Sequence, residues 1–203
     1  LNQVGETISS IAAPTAAYSL RSLTGGDPKA VRVRIGGTTT EQDFTVSEIS
    51  SGALVDFVGS GNDGFVDTWY DQSGNDNHLT QATDGKQPTI VTSGTLNTRN
   101  NKPIIKFIQA NSTFLEIADS SMFPTGSNIA VTIFHAMHID ISSGSRIGVF
   151  GNNNGGSNAQ TNTYRFGSGT SRRVIVKFAD ASDTQVEVLS GFYTNDSDSI
   201  LTY

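Results

Sequence analysis

The chain is built from short apolar bursts separated by Gly, Asn, Asp, Ser and Pro, and this punctuation is its strongest constraint. "AVRVRI" (Ala30 to Ile35) alternates, with Val31, Val33 and Ile35 facing one way and Arg32 and Arg34 the other, as in a half-buried strand. "GFVDTWY", "PTIV", "KPIIKF" and "FLEI" are further strand-sized bursts with turn residues at their borders. The longest alternation, "IAVTIFHAMHIDI", puts Ile129, Val131, Ile133, His135, Met137, Ile139 and Ile141 on one face. Thr132, Phe134, His138 and Asp140 fall on the other. "RIGVFG", "TYRFG", "RRVIVKF" and "QVEVLSGFY" complete the series. Two segments read as short helices. In "PTAAYSLRSL", Pro14 suits a first helical turn and Gly25-Gly26 end it; "GALVDFVG" closes on Gly59. No strand–helix–strand alternation follows, so the expected class is all-β: an antiparallel β-sandwich with one or two short helices. Composition agrees, with 21 Gly among 203 residues and few of the helix-favouring Lys, Glu and Met.

A sandwich of this length is commonly one domain, expected here over 14–203. Residues 1–13, with Val4, Ile8 and Ile11 at helical spacing, read as an N-terminal tether or the end of a stalk. "NDSDSILTY" opens a further strand and stops, and the chain begins at Leu1 rather than Met. A piece of a longer polypeptide, continuing beyond Tyr203, is therefore expected. The net charge of -6 argues against a nucleic-acid partner, because binding phosphate requires a basic footprint; Arg172-Arg173 is the only adjacent basic pair. With no cysteine, disulfides and thiolate metal sites are excluded. No apolar run approaches the roughly 20 residues of a membrane-spanning helix. Phosphate-loop, dinucleotide and zinc spacings are absent from the sequence.

The densest run of hydrogen-bonding side chains is "WYDQSGNDNHLTQ", Trp69 to Gln81. Asp71 and Ser73 can accept from backbone N–H groups two residues on, and Gly74 supplies a positive φ. Trp69 and Tyr70 anchor the strand before the turn, and Leu79 resumes the apolar pattern after it. Three readings stand: a side-chain-stapled structural corner built on Asp71, Ser73 and Gly74; a cation loop; or direct sugar contact by Asn75, Asn77 or His78. No metal site or cofactor is expected. Calcium is the one ion such a loop's oxygens could take, and only Asp71 and Asp76 carry charge there.

"AAYSLRSL", "AVRVRI", "GFVDTWYDQSGNDNHLTQA", "QPTIV" and "NKPIIKF" occur in the order seen in the N-terminal half of the catalytic domain of glycoside hydrolase family 54, the α-L-arabinofuranosidase B family. The block also resembles modules of phage tail and virion proteins and of marine bacterial surface proteins. It covers roughly residues 14–107, and its Tyr70 to Asn75 core is the most specific part. The resemblance implies a concanavalin A-like (laminin-G-like) jelly roll. In the enzyme family a glutamate nucleophile follows an aromatic-rich, glycine-asparagine stretch. The counterpart here, "VFGNNNGGSNA" (Val149 to Ala159), carries Asn and Gly instead. The family's general acid would fall near or beyond Tyr203. No catalytic residue is nominated, since a retaining glycosidase needs two carboxyls about 5 Å apart.

The remaining candidates are weaker. His135 and His138 stand three apart in a strand, which sends them to opposite faces and disfavours a chelate. Asp196 and Asp198 would share a face but sit in a Ser/Asn/Asp-rich segment that reads as a solvated loop. "GGTTTEQD" and "GNNNGGSNAQTN" are polar connectors or, alternatively, a rim for glycan hydroxyls. In that second reading Asn152 and Asn154 hydrogen-bond the sugar and Trp69 or Tyr164 gives a stacking face. The resulting expectation is a non-catalytic, extracellular or virion module, such as a tail-fibre component, that meets surface glycans or neighbouring subunits and can self-associate. The alternative is an arabinofuranosidase-type glycoside hydrolase.

Overall fold

A computed structural model describes residues 14–117 and, further on, backbone at 134–138, 147–148, 163–166, 173–179, 185–192 and 198–202. The fold is antiparallel β, and the chain divides into two units, Leu1–Met122 and Phe123–Tyr203. The strands of the first unit are β1 (Lys29–Ile35), β2 (Glu41–Thr45), β3 (Gly64–Trp69), β4 (Leu79–Thr80), β5 (Thr89–Thr92), β6 (Thr95–Leu96), β7 (Thr98–Arg99) and β8 (Lys102–Pro103). The main sheet runs β2-β1-β3-β5-β6, with β4 also paired to β3; β7 and β8 form a separate hairpin.

Local chemistry explains these elements. β1 and β2 register Val31 against Phe44 and Arg32 against Asp43, so an apolar pair and an ion pair occupy opposite faces. β3 alternates buried and half-buried residues along its whole length. β5 returns to β6 through Ser93-Gly94, both at positive φ (49° and 74°), the backbone of a type I′ turn whose twist matches the strands. Asn100-Asn101 (48° and 59°) do the same between β7 and β8. The core joins Ala30, Val31 and Val33 of β1, Phe44, Val66, Ile90 and Val91, and it is closed by Ile49, Leu54 and Val58.

Ile49, Leu54 and Val58 come from two one-and-a-half-turn helices, α1 (Val46–Ser51) and α2 (Ala53–Val58). The second falls within the expected Gly52 to Gly59 helix, and the Gly59 N–H donates to the Val55 carbonyl at its end. The first was not anticipated, although its signal stands in the sequence. Thr45 and Glu48 make a reciprocal capping box, each side chain accepting from the other's backbone N–H.

Two expectations are corrected. Residues 14–23 form no helix: Ala17 and Leu23 give their N–H groups to the side chains of Asp71 and Gln72, and Tyr18 pairs as an isolated antiparallel bridge with Asp71. The segment is an irregular strap that bends at Thr15, Leu20, Arg21 and Leu23. Arg34 does not face solvent but is 5% exposed, since the second face of β1 is covered at that point. Its Nε donates to Gln87 Oε1 at 2.9 Å, its guanidinium lies over the Phe65 ring at 5.2 Å, and Asp84 stands 3.4 Å away. A charge taken from water needs such partners to remain ionised.

In the second unit, β9 (Phe134–His138) pairs with β14 (Asp198–Thr202), while β10 (Ile147–Gly148), β11 (Thr163–Phe166), β12 (Arg173–Ala179) and β13 (Gln185–Phe192) make an antiparallel sheet in that order. The strand bursts read at 134–138, 173–179 and 185–192 thus fall on strands. The tether at 1–13 lies outside the described residues. Among the described residues no helix is long and apolar enough to cross a membrane.

Gly64 begins β3 where a Cβ would stand 2.8 Å from Val58 Cγ2, 3.1 Å from Val91 Cβ and 3.2 Å from Val33 Cγ1. Gly64→Ala is expected to lower unfolding free energy by about 1–3 kcal/mol through overpacking, measured by urea denaturation. Gly85→Ala, where nothing lies within 4 Å, should change it by no more than about 0.5 kcal/mol.

Candidate functional site

The Trp69 to Gln81 segment leaves β3 as a corner whose side chains fold inward. Asp71 is 8% exposed. Its Oδ1 accepts from the backbone N–H of Ala17 (2.7 Å) and Ser73 (2.9 Å). Its Oδ2 accepts from Ser73 Oγ (2.6 Å) and the Asn77 N–H (3.1 Å). Both carboxylate oxygens are thus occupied by donors from the strap and from the corner itself, which satisfies a buried polar group. Gly74, at φ 90°, turns the chain between them.

Gln72, 6% exposed, performs the second half of the clamp. Its Nε2 donates to the carbonyls of Ser19 (3.0 Å) and Arg21 (3.1 Å), and its Oε1 accepts from the Leu23 N–H (2.9 Å). The Gln72 N–H donates to the Ala17 carbonyl at 2.7 Å. Nothing in local turn propensity singles Gln72 out, and sequence reasoning passed over it; its partners lie about fifty residues earlier.

The residues proposed for sugar contact are drawn into the same network. Asn75 Nδ2 donates to the carbonyls of Pro14 (3.0 Å) and Thr15 (3.1 Å), and Asn77 Nδ2 to Thr15 (2.8 Å). The Tyr18 hydroxyl donates to the Asn77 carbonyl. Burial, with Asp71 adding a negative charge nearby, pushes that phenol well above the ordinary tyrosine range. Trp69 is half-buried, its ring tilted 50° against Tyr18 at 5.8 Å. His78 Nδ1 accepts from the Asp71 N–H at 3.2 Å, and its ring meets Tyr70 edge-on at 4.9 Å. Asn152, Asn154 and the Tyr164 side chain lie outside the described residues, as do Val149 to Ala159, Asp196 and the side chains of His135 and His138.

On the other side of Tyr70 sits a charged cluster. Asp43 accepts from Arg32 Nε and Lys29 Nζ, both at 2.7 Å, and from the Tyr70 hydroxyl at 2.7 Å. Arg32 foremost, then Lys29 and Tyr70, hold the Asp43 carboxyl well below the usual carboxylate range against the opposing effect of burial. Burial and the bond to Asp43 push Tyr70 up to about 12. The entry to the corner is therefore fixed on two sides: Tyr70 to β2, and Asp71 to the strap.

Chemically this arrangement braces. Asp71 meets N–H and O–H donors, and among the described residues no group of three His, Asp or Glu side chains is placed to hold a metal ion. No protein-family model matches the chain, and no curated protein or solved structure matches it significantly.

The two shifts give the cluster a pH signature. The Asp43 value is depressed by folding. Its contribution is complete above the unfolded carboxylate value of about 4 and is lost as pH falls through the folded one. Tyr70 is raised, so its contribution is complete below the unfolded phenol value of about 10 and is lost as pH climbs toward the folded value. Asp43→Asn is expected to flatten the acid decline of the unfolding midpoint. In a tyrosinate absorbance titration, Tyr70→Phe should remove a component ionising near 12. A Tyr70 component at ordinary phenol pH would contradict this geometry.

Proposed function

We propose that the chain is a non-catalytic β-sandwich module of an extracellular assembly. In this reading it is a concanavalin A-like, laminin-G-like jelly roll in a phage virion or tail appendage. It meets surface glycans or neighbouring subunits through its loops. The observation that carries the reading is the state of Asp71. The buried acid of the most specific sequence block has both oxygens committed to backbone and hydroxyl donors. A nucleophile or general acid needs a carboxyl oxygen facing the reacting bond. The amide hydrogens of Asn75 and Asn77 likewise serve the strap. That supports a framework role for the corner, and in this reading partner contact falls to the exposed loop surface around it.

The resemblance of residues 14–107 to glycoside hydrolase family 54 supports a second reading, an α-L-arabinofuranosidase, and one pair of assays separates the two. The full-length protein is incubated with a chromogenic arabinofuranoside and, in parallel, passed over immobilised surface polysaccharides and its own assembly. The proposal expects no arabinose release, together with retention on a polysaccharide or incorporation beside sister subunits. Arabinose release abolished by one Asp or Glu substitution would replace it with the glycosidase. A soluble monomer with neither affinity would also sink it.

A further inference from the structure

The corner holds the strap as a receptor holds a bound peptide. Most of the contacts run to the strap's peptide groups. Gln72 reads Ala17, Ser19, Arg21 and Leu23; Asn75 and Asn77 read Pro14 and Thr15; Asp71 takes the Ala17 N–H. Tyr18 and Leu20 supply the apolar anchors. Tyr18 lies against Trp69, and Leu20 packs on the core cluster. Backbone hydrogen bonds for affinity with alternate side chains in apolar neighbourhoods is the logic of strand-addition recognition.

The strap is joined to the sheet by a link suited to redirection. Thr24, Gly25 and Gly26 are exposed, and the two glycines sit at φ 81° and 70°. A side chain at Gly26 would meet nothing within 4 Å. The link is pinned on both sides: Leu23 N–H to Gln72 before it, and Asp27 to the N–H (2.8 Å) and hydroxyl (2.5 Å) of Ser47 after it. A change confined to residues 24–26 can therefore redirect the strap without disturbing the sheet or the clamp.

We propose that the corner is also the acceptor for the strap of a second copy of this chain, so that two chains exchange Pro14–Leu23 reciprocally. The occupant is fixed by the observation itself, since the peptide that fits the clamp is this sequence. In the exchanged pair each clamp makes the same bonds as in the single chain. The two states then differ by the link conformation and the entropy of association, which is the condition under which exchange dimers form. Such a dimer is two-fold symmetric and closed. The inference stands apart from glycan binding and from the choice between module and hydrolase.

The test uses the full chain, unfolded in urea and refolded at high protein concentration, then diluted and sized by chromatography with light scattering. A dimer that survives dilution is expected, and deleting Gly25 and Gly26 should raise its fraction several-fold, because a shortened link hinders the strap from returning to its own corner. Because the chain has no cysteine, a mixture of Thr15→Cys and Asn75→Cys copies refolded together should also give a disulfide joining one of each on a non-reducing gel. Monomer at every concentration overturns the proposal. A dimer whose fraction is unchanged by shortening the link overturns it too, because it then uses another face. So does failure of the mixed pair to cross-link when a chain carrying both cysteines closes on itself.

Discussion

The Asp71 carboxylate is the constraint on which the described first unit turns. Left without partners, a buried carboxylate carries a large desolvation cost. Here it is retained because donors from two distant parts of the chain converge on it: Ala17, 54 residues earlier, and Ser73 and Asn77 just after. One ionised group thereby fixes the shape of the corner and the path of the strap together. Because hydrogen bonds to a charge are about twice as strong as neutral ones, this junction exceeds what the turn residues could supply alone.

From this junction the other features follow in order. With the strap in place, Tyr18 covers Trp69 and Leu20 reaches the core, extending the apolar cluster past the end of β3. With the corner in place, Tyr70 is aimed at Asp43, which ties Lys29 and Arg32 of β1 to β2. The functional proposal rests on the same point. A carboxylate that holds a fold by both oxygens is poorly placed to attack or protonate a sugar, so the partner-facing surface is sought in the loops outside it.

The β character was legible because period-two alternation and turn residues are local properties. β1, β3, β5, β12 and β13 all fall on bursts read directly from the sequence. The strap was misread for a reason that is also local. Ala17, Leu20 and Tyr18 carry respectable helix preference, whereas the groups that claim their backbone, Asp71 and Gln72, lie far along the chain and leave no mark on residues 14–23. Burial of Arg34 was hidden in the same way, its acceptor Gln87 being 53 residues distant. α1 is the opposite case, for its Thr45–Glu48 capping box is local and was overlooked in residues 44–51, to which the sequence reading gave no element. Within the candidate site, the identities of Asp71, Ser73 and Gly74 as turn residues could be read from sequence. The inward use of Asn75 and Asn77 could not, because an amide in a turn looks the same whether it faces a sugar or a carbonyl.

The most direct measurement is native-state amide hydrogen exchange on the intact chain and on Asp71→Ala. If the Asp71 carboxylate is the junction, the Ala17, Leu23, Ser73 and Asn77 amides are protected together in the intact chain. All four should lose that protection in Asp71→Ala, along with roughly 3 kcal/mol of stability, while the β1–β3 amides remain protected. Free exchange of Ala17 and Asn77 in the intact chain, or protection unchanged by the substitution, would contradict the account.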